Sequence, residues 1–130
     1  MQARGIDEAS GATPKGTAVG PLFASLCYAH GLSFPLAEFQ FAPPRKWRFD
    51  YCWYNDMIAL EVEGGAWTKG RHTRGKGFLA DIEKYNEAAL MGYLVLRCTP
   101  QDLETGAAFA LVKRALDSLK IERTLASIRC

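Results

Sequence analysis

Residues 47–53 alternate in polarity. Trp47, Phe49, Tyr51 and Trp53 occupy one parity; Arg48, Asp50 and Cys52 occupy the other. A period of two is that of a strand with one apolar face. Residues 57–63 repeat the pattern, with Ile58, Leu60 and Val62 set against Ala59, Glu61 and Glu63. Only Tyr54-Asn55-Asp56 separates the two runs, so the spacing predicts an antiparallel hairpin. An earlier short run, residues 38–41, also alternates and is stopped by Pro43-Pro44.

Around this hairpin the period changes to that of helices. In residues 21–30, Leu22, Leu26 and Ala29 share a face, with Pro21 at the first turn and Gly31 after the end. Residues 78–91 read as a second helix closed by Gly92. Residues 93–98 are mostly apolar, as in a strand covered on both faces. Thr99 as N-cap and Pro100 at the first position open a third helix running to about residue 124. The predicted order is α-β-β-β-α-β-α. A right-handed crossover through helix 78–91 places strands 57–63 and 93–98 parallel. The expectation is an α/β fold with a mixed sheet and helices packed on its faces. Residues 1–19 are small, polar and unpatterned and read as a flexible tail, leaving 20–130 as a single domain.

Composition narrows the class. Of 130 residues, 48% are hydrophobic and 23% charged, which is globular rather than disordered. The net charge of +2 does not by itself imply nucleic acid, but the basic residues are clustered. Arg45, Lys46 and Arg48 form one group. Lys69, Arg71, Arg74 and Lys76 form another in the glycine-rich stretch 64–77, which contains no acid. The four cysteines are scattered without a CxxC pair, which argues against structural zinc. Cys52 and Cys98, inside apolar runs, read as buried free thiols, which points to a reducing cytoplasm. No apolar run reaches the roughly 20 residues that span a bilayer, so no membrane partner is expected.

The candidate chemistry lies in the hairpin. Glu61 and Glu63 share a strand face, and Asp50 has the parity to lie across from them. On a solvent-facing sheet these acids need no partner; partly buried, three like charges on one small face need a cation or a shared proton, and Mg²⁺ suits oxygen donors of this kind. The glycine-rich stretch imitates a phosphate loop, but Gly77 follows Lys76 where a hydroxyl is required. It is better read as a basic loop lying on a nucleic-acid backbone. His72 within it would donate to a scissile phosphate or protonate a leaving oxygen, unless it is an ordinary loop histidine.

A strand carrying Asp, a second carrying Glu-x-(Lys/Glu), then a helix and another strand resembles the PD-(D/E)XK nuclease superfamily. Arg48-Phe49-Asp50, Glu61-Val62-Glu63-Gly64-Gly65 and then His72 are similar to its very-short-patch-repair branch, which favours Glu-x-Asp-Gly and a nearby His. The similarity covers about residues 38–98. It implies a restriction-endonuclease-like fold and a Mg²⁺- or Mn²⁺-dependent endonuclease acting on DNA, with a homodimer as a plausible assembly. Asp50 and Glu61 would bind the metal, with the backbone carbonyl of Val62. The usual lysine, two residues after the glutamate, is Glu63 here. Either Glu63 acts as base or second ligand, or Lys84 fills the role from the next helix. The family pattern also hints at an earlier acid, for which Glu38 is the candidate. Two rival readings stand beside this one: a degenerate nuclease fold that binds DNA without cutting it, and a glycoside hydrolase using two of the carboxylates.

Overall fold

The computed structural model describes residues 13–64 and 66–129, with the backbone alone described for 66–76 and 129. Five strands form one open sheet in the order β1 (Lys15–Ala18), β2 (Leu36–Gln40), β3 (Arg48–Trp53), β4 (Ile58–Val62), β5 (Leu94–Cys98). The first three pairings are antiparallel, and β4–β5 is parallel. The hairpin and the parallel crossover follow the sequence reading. A 3-10 turn at Tyr54–Asp56 and a left-handed Met57 (φ 58°) join the hairpin strands.

Helices α1 (Pro21–Ala29), α3 (Pro100–Thr105) and α4 (Ala107–Arg129) cover one face of the sheet. There Cys27, Trp53, Ile58, Leu60, Phe109 and Val112 form the larger core. Helix α2 (Ala66–Leu90) lies over the other face. Its core comprises Phe39, Phe41, Phe49, Cys52, Ala59, Ala88 and Tyr93. Among the described residues no helix is long and apolar enough to cross a membrane.

Several expectations are corrected. Residues 15–18, assigned to the tail, form an edge strand, because β2 offers its outer hydrogen-bonding groups to them. Residues 1–12 lie outside the described residues. The glycine-rich stretch is not a loop: α2 runs through it from Ala66. Strand β5 is a sheet edge, with Leu94 and Arg97 exposed, rather than a strand covered on both faces. The long C-terminal helix is broken at Gly106, whose φ of 89° is left-handed. Thr99 does cap α3, in a reciprocal capping box with Asp102.

Gly106 carries the first testable consequence. A Cβ there would lie 3.3 Å from His30 Nε2, and the backbone is already left-handed. Gly106→Ala is expected to lower stability by about 1–2 kcal/mol, read as a loss of roughly 3–8 °C in Tm.

Candidate active site

The alternation of β3 fails at Asp50. Phe49 and Cys52, three residues apart, both enter the core beneath α2, whereas Tyr51 and Trp53 enter the opposite one. The single aromatic face expected for 47–53 is therefore split. Two irregularities coincide there. The β3–β4 ladder stops at the Tyr51–Leu60 pair. Across β3 on the other side, Glu38 holds a left-handed φ of 49° between the Ala37–Tyr51 and Phe39–Phe49 pairs. A left-handed acidic residue stores strain of the kind found at functional sites.

Where the ladder stops, carboxylates replace carbonyls as acceptors. The Val62 N–H donates to Asp50 Oδ2 (2.7 Å), and the Asp50 N–H donates to Glu61 Oε2 (3.0 Å). Each acid is thus fixed by the other's strand, and the two side chains are held side by side. Glu61, 7% exposed, is the one charged residue in the described core. Its Oε1 accepts hydrogen bonds from Lys84 Nζ (2.8 Å) and the Tyr85 hydroxyl (2.6 Å). Both donors come from α2, where Lys84, Tyr85 and the buried Ala88 sit at the i, i+1, i+4 spacing of one helical face. The Lys84 side chain is 14% exposed, so this ion pair is largely withdrawn from water.

The electrostatics are those of two acids sharing one place. Burial raises the Asp50 pKa above the usual aspartate value. The Val62 N–H bond opposes this, the charges of Glu61 and Glu38 add to it, and the Lys84 ammonium partly offsets it. Burial, and then the bond to Glu61, push the Tyr85 phenol up, so Tyr85 acts as a hydrogen-bond donor and not as an anion. The buried thiols are inert for the same reason: Cys52 is pushed up to about 12, and Cys27 and Cys98 to about 11. This fits the reading of Cys52 and Cys98 as buried free thiols.

The expected residues therefore separate. Asp50, Glu61, the Val62 backbone and Lys84 converge. Lys84 meets Glu61 and not the neighbouring Asp81 of its own helix. Glu63 leaves the cluster: its N–H donates to the Cys98 carbonyl, and its carboxylate takes Arg97 at 3.0 Å. Glu38 is exposed, 4.0 Å from Arg48, and reaches Asp50 through charge alone. The side chains of Lys69, Arg71, His72, Arg74 and Lys76 lie outside the described residues. Arg45 packs on Trp47 and pairs with Glu83, and Lys46 is exposed beside it.

Tyr85 was missed by sequence reasoning, although its place beside Lys84 on the face that carries Ala88 was a usable signal. Arg97 was missed as well. As an exposed residue of an edge strand it carried no periodic signal.

A hard divalent cation suits this donor set in kind. Asp50 and Glu61 supply two carboxylates beside the Val62 backbone; Mg²⁺ takes one or two carboxylates and completes its shell with water and phosphate. Bringing two acids together at a cost in Asp50 ionisation is relieved by a cation between them. Among the described residues no group of three or more His, Cys, Asp or Glu side chains is placed to hold a metal. Comparison of the chain with protein-family models, curated proteins and solved structures gave no match.

Proposed function

We propose that this protein is a divalent-cation-dependent phosphodiester hydrolase acting on DNA, with Asp50, Glu61 and Lys84 as its working residues. The observation that carries this reading is the meeting of two strand carboxylates and a helix ammonium where the β3–β4 ladder opens. Asp50, Glu61 and the Val62 carbonyl would hold Mg²⁺ or Mn²⁺. A cation held there supplies Lewis-acid polarisation of the phosphodiester and lowers the pKa of an attacking water. Lys84, anchored on Glu61, directs its ammonium at this place, where it orients the water and offsets negative charge growing on the phosphate. Tyr85 holds Glu61 in position by donating to the same oxygen as Lys84. Lys84 thus takes the part of the lysine missing at position 63.

The test is cleavage of supercoiled plasmid in Mg²⁺ or Mn²⁺, with an EDTA control. Lys84→Met is expected to lower the rate on the order of 10²-fold or more, the usual worth of a positioned proton-handling group. Glu63→Gln removes only a half-exposed ion pair and is expected to leave the rate within about twofold and stability within about 0.5 kcal/mol. The reverse ranking would return the role to Glu63.

One observation favours a second reading, a nuclease-like fold that binds DNA without cutting it. Both oxygens of Glu61 already accept hydrogen bonds within the chain. A gel shift by the wild type, with no cleavage in either metal, selects that reading.

A further inference from the structure

A row of flat groups leads from the acid site to the surface. The Lys84 ammonium lies 5.9 Å from the Phe49 ring centroid. Phe49 stacks on Phe41 at 4.1 Å with their planes 4° apart, and Phe41 stacks on Trp47 at 6.1 Å and 18°. The Arg45 guanidinium then lies 3.7 Å from the Trp47 ring centroid. Phe41 and Phe49 are fully buried, Trp47 is half-buried, and the Arg45 side chain is 50% exposed.

Arg45 is held in place and is not a loose surface cation. Its N–H donates to the Ala42 carbonyl (2.8 Å), and its own carbonyl accepts from Gln40 Nε2 (2.7 Å). Its guanidinium pairs with Glu83 at 3.2 Å, and Glu83 is the neighbour of Lys84 on α2. One element therefore aligns both the platform and the ammonium of the acid site.

A guanidinium plane on an aromatic ring is a surface on which a nucleobase stacks. It takes a base whose face is open, and the bases inside a duplex have their faces covered by their neighbours. Trp47 precedes Asp50 by three extended residues, roughly 10 Å.

We propose that Arg45 and Trp47 form a stacking platform for an unpaired base of a DNA strand, on the same strand as the phosphate held at Asp50 and Glu61. The substrate class is then DNA with a single-stranded segment, such as a flap, gap or bubble. The position of the phosphate rests on the hydrolase reading above; the stacking itself does not.

The experiment measures fluorescence anisotropy of a labelled 12-nucleotide single strand and of the matching blunt duplex, in EDTA so that no cleavage is needed. The wild type is expected to bind the single strand more tightly at equal salt. Arg45→Lys keeps the charge and removes the plane. It is expected to weaken single-strand binding roughly 5- to 100-fold, from the worth of one stacked base, and duplex binding by less than about twofold. Trp47→Leu, verified as folded by its thermal melt, is expected to act in the same direction. Wild-type affinity in Arg45→Lys, or an equal loss on both ligands, overturns the platform. A protein that cuts plain duplex and is indifferent to Arg45→Lys loses the platform and keeps the hydrolase reading. One that needs Arg45 for single strands and cuts nothing keeps the platform and loses the hydrolase reading.

Discussion

Glu61→Ala is expected to cost about 3–5 kcal/mol of stability and to abolish cleavage. The substitution leaves the Lys84 ammonium largely buried without its counter-charge. It also removes the acceptor of the Tyr85 hydroxyl and of the Asp50 N–H. Against a total stability of roughly 5–15 kcal/mol, such a loss unfolds part of the population at ordinary temperatures. Glu61→Gln separates the two effects. The amide keeps the shape and an acceptor oxygen but not the charge, so the chain is expected to fold while cleavage falls on the order of 10²-fold or more. Urea melts of both variants, beside their plasmid cleavage rates, check this pair. Equal melts for wild type and Glu61→Ala would show that the ion pair contributes nothing to the fold.

Asp50→Asn is expected to do the opposite to stability while also abolishing cleavage. The folded-state pKa of Asp50 lies above its unfolded value, because burial and the charges of Glu61 and Glu38 disfavour the ionised form. A group raised in this way supports the fold below its unfolded pKa and loses that support as pH rises through its folded pKa. At neutral pH the ionised Asp50 therefore costs stability. Asparagine removes the charge and still accepts the Val62 N–H through its amide oxygen. The variant is expected to melt above the wild type at pH 7, and the difference is expected to vanish at pH values below the ordinary aspartate pKa. Thermal melts from pH 3 to pH 8 measure this directly.

The hairpin and the crossover were legible because β3, β4 and β5 are short, apolar and bounded by turn residues. The period of two also placed Ala59 and Glu61 correctly, opposite Ile58, Leu60 and Val62. It failed in β3, where the twist at Asp50 is set by the neighbouring strand and by reciprocal side-chain bonds that span eleven and twelve residues. No local pattern carries that information. Lys15–Ala18 has no hydrophobic rhythm and becomes a strand only because β2 has an open edge. The glycines of 64–77 argued for a loop on propensity, yet the backbone stays helical from Ala66 onward. Gly106 was the missed signal: a glycine inside a long amphipathic helix marked the break between α3 and α4.

The site was legible in part. Asp50 and Glu61 stood out as carboxylates on neighbouring strands, and Lys84 as a lysine on the following helix. That Lys84 meets Glu61, while Glu63 turns to Arg97, depends on how α2 crosses the sheet edge and was not contained in any spacing along the chain.

Under the proposed hydrolase reading, Asp50 and Glu61 together hold the cation that makes DNA cleavage possible. Its most direct measurement is the rate of supercoiled plasmid cleavage in Mn²⁺ and in Mg²⁺ for wild type, Asp50→Asn and Glu61→Gln, each with an EDTA control. The account predicts nicked and linear product from the wild type, none in EDTA, and rates lower by on the order of 10²-fold or more in both variants. Cleavage that persists in both variants, or that is indifferent to EDTA, would contradict it.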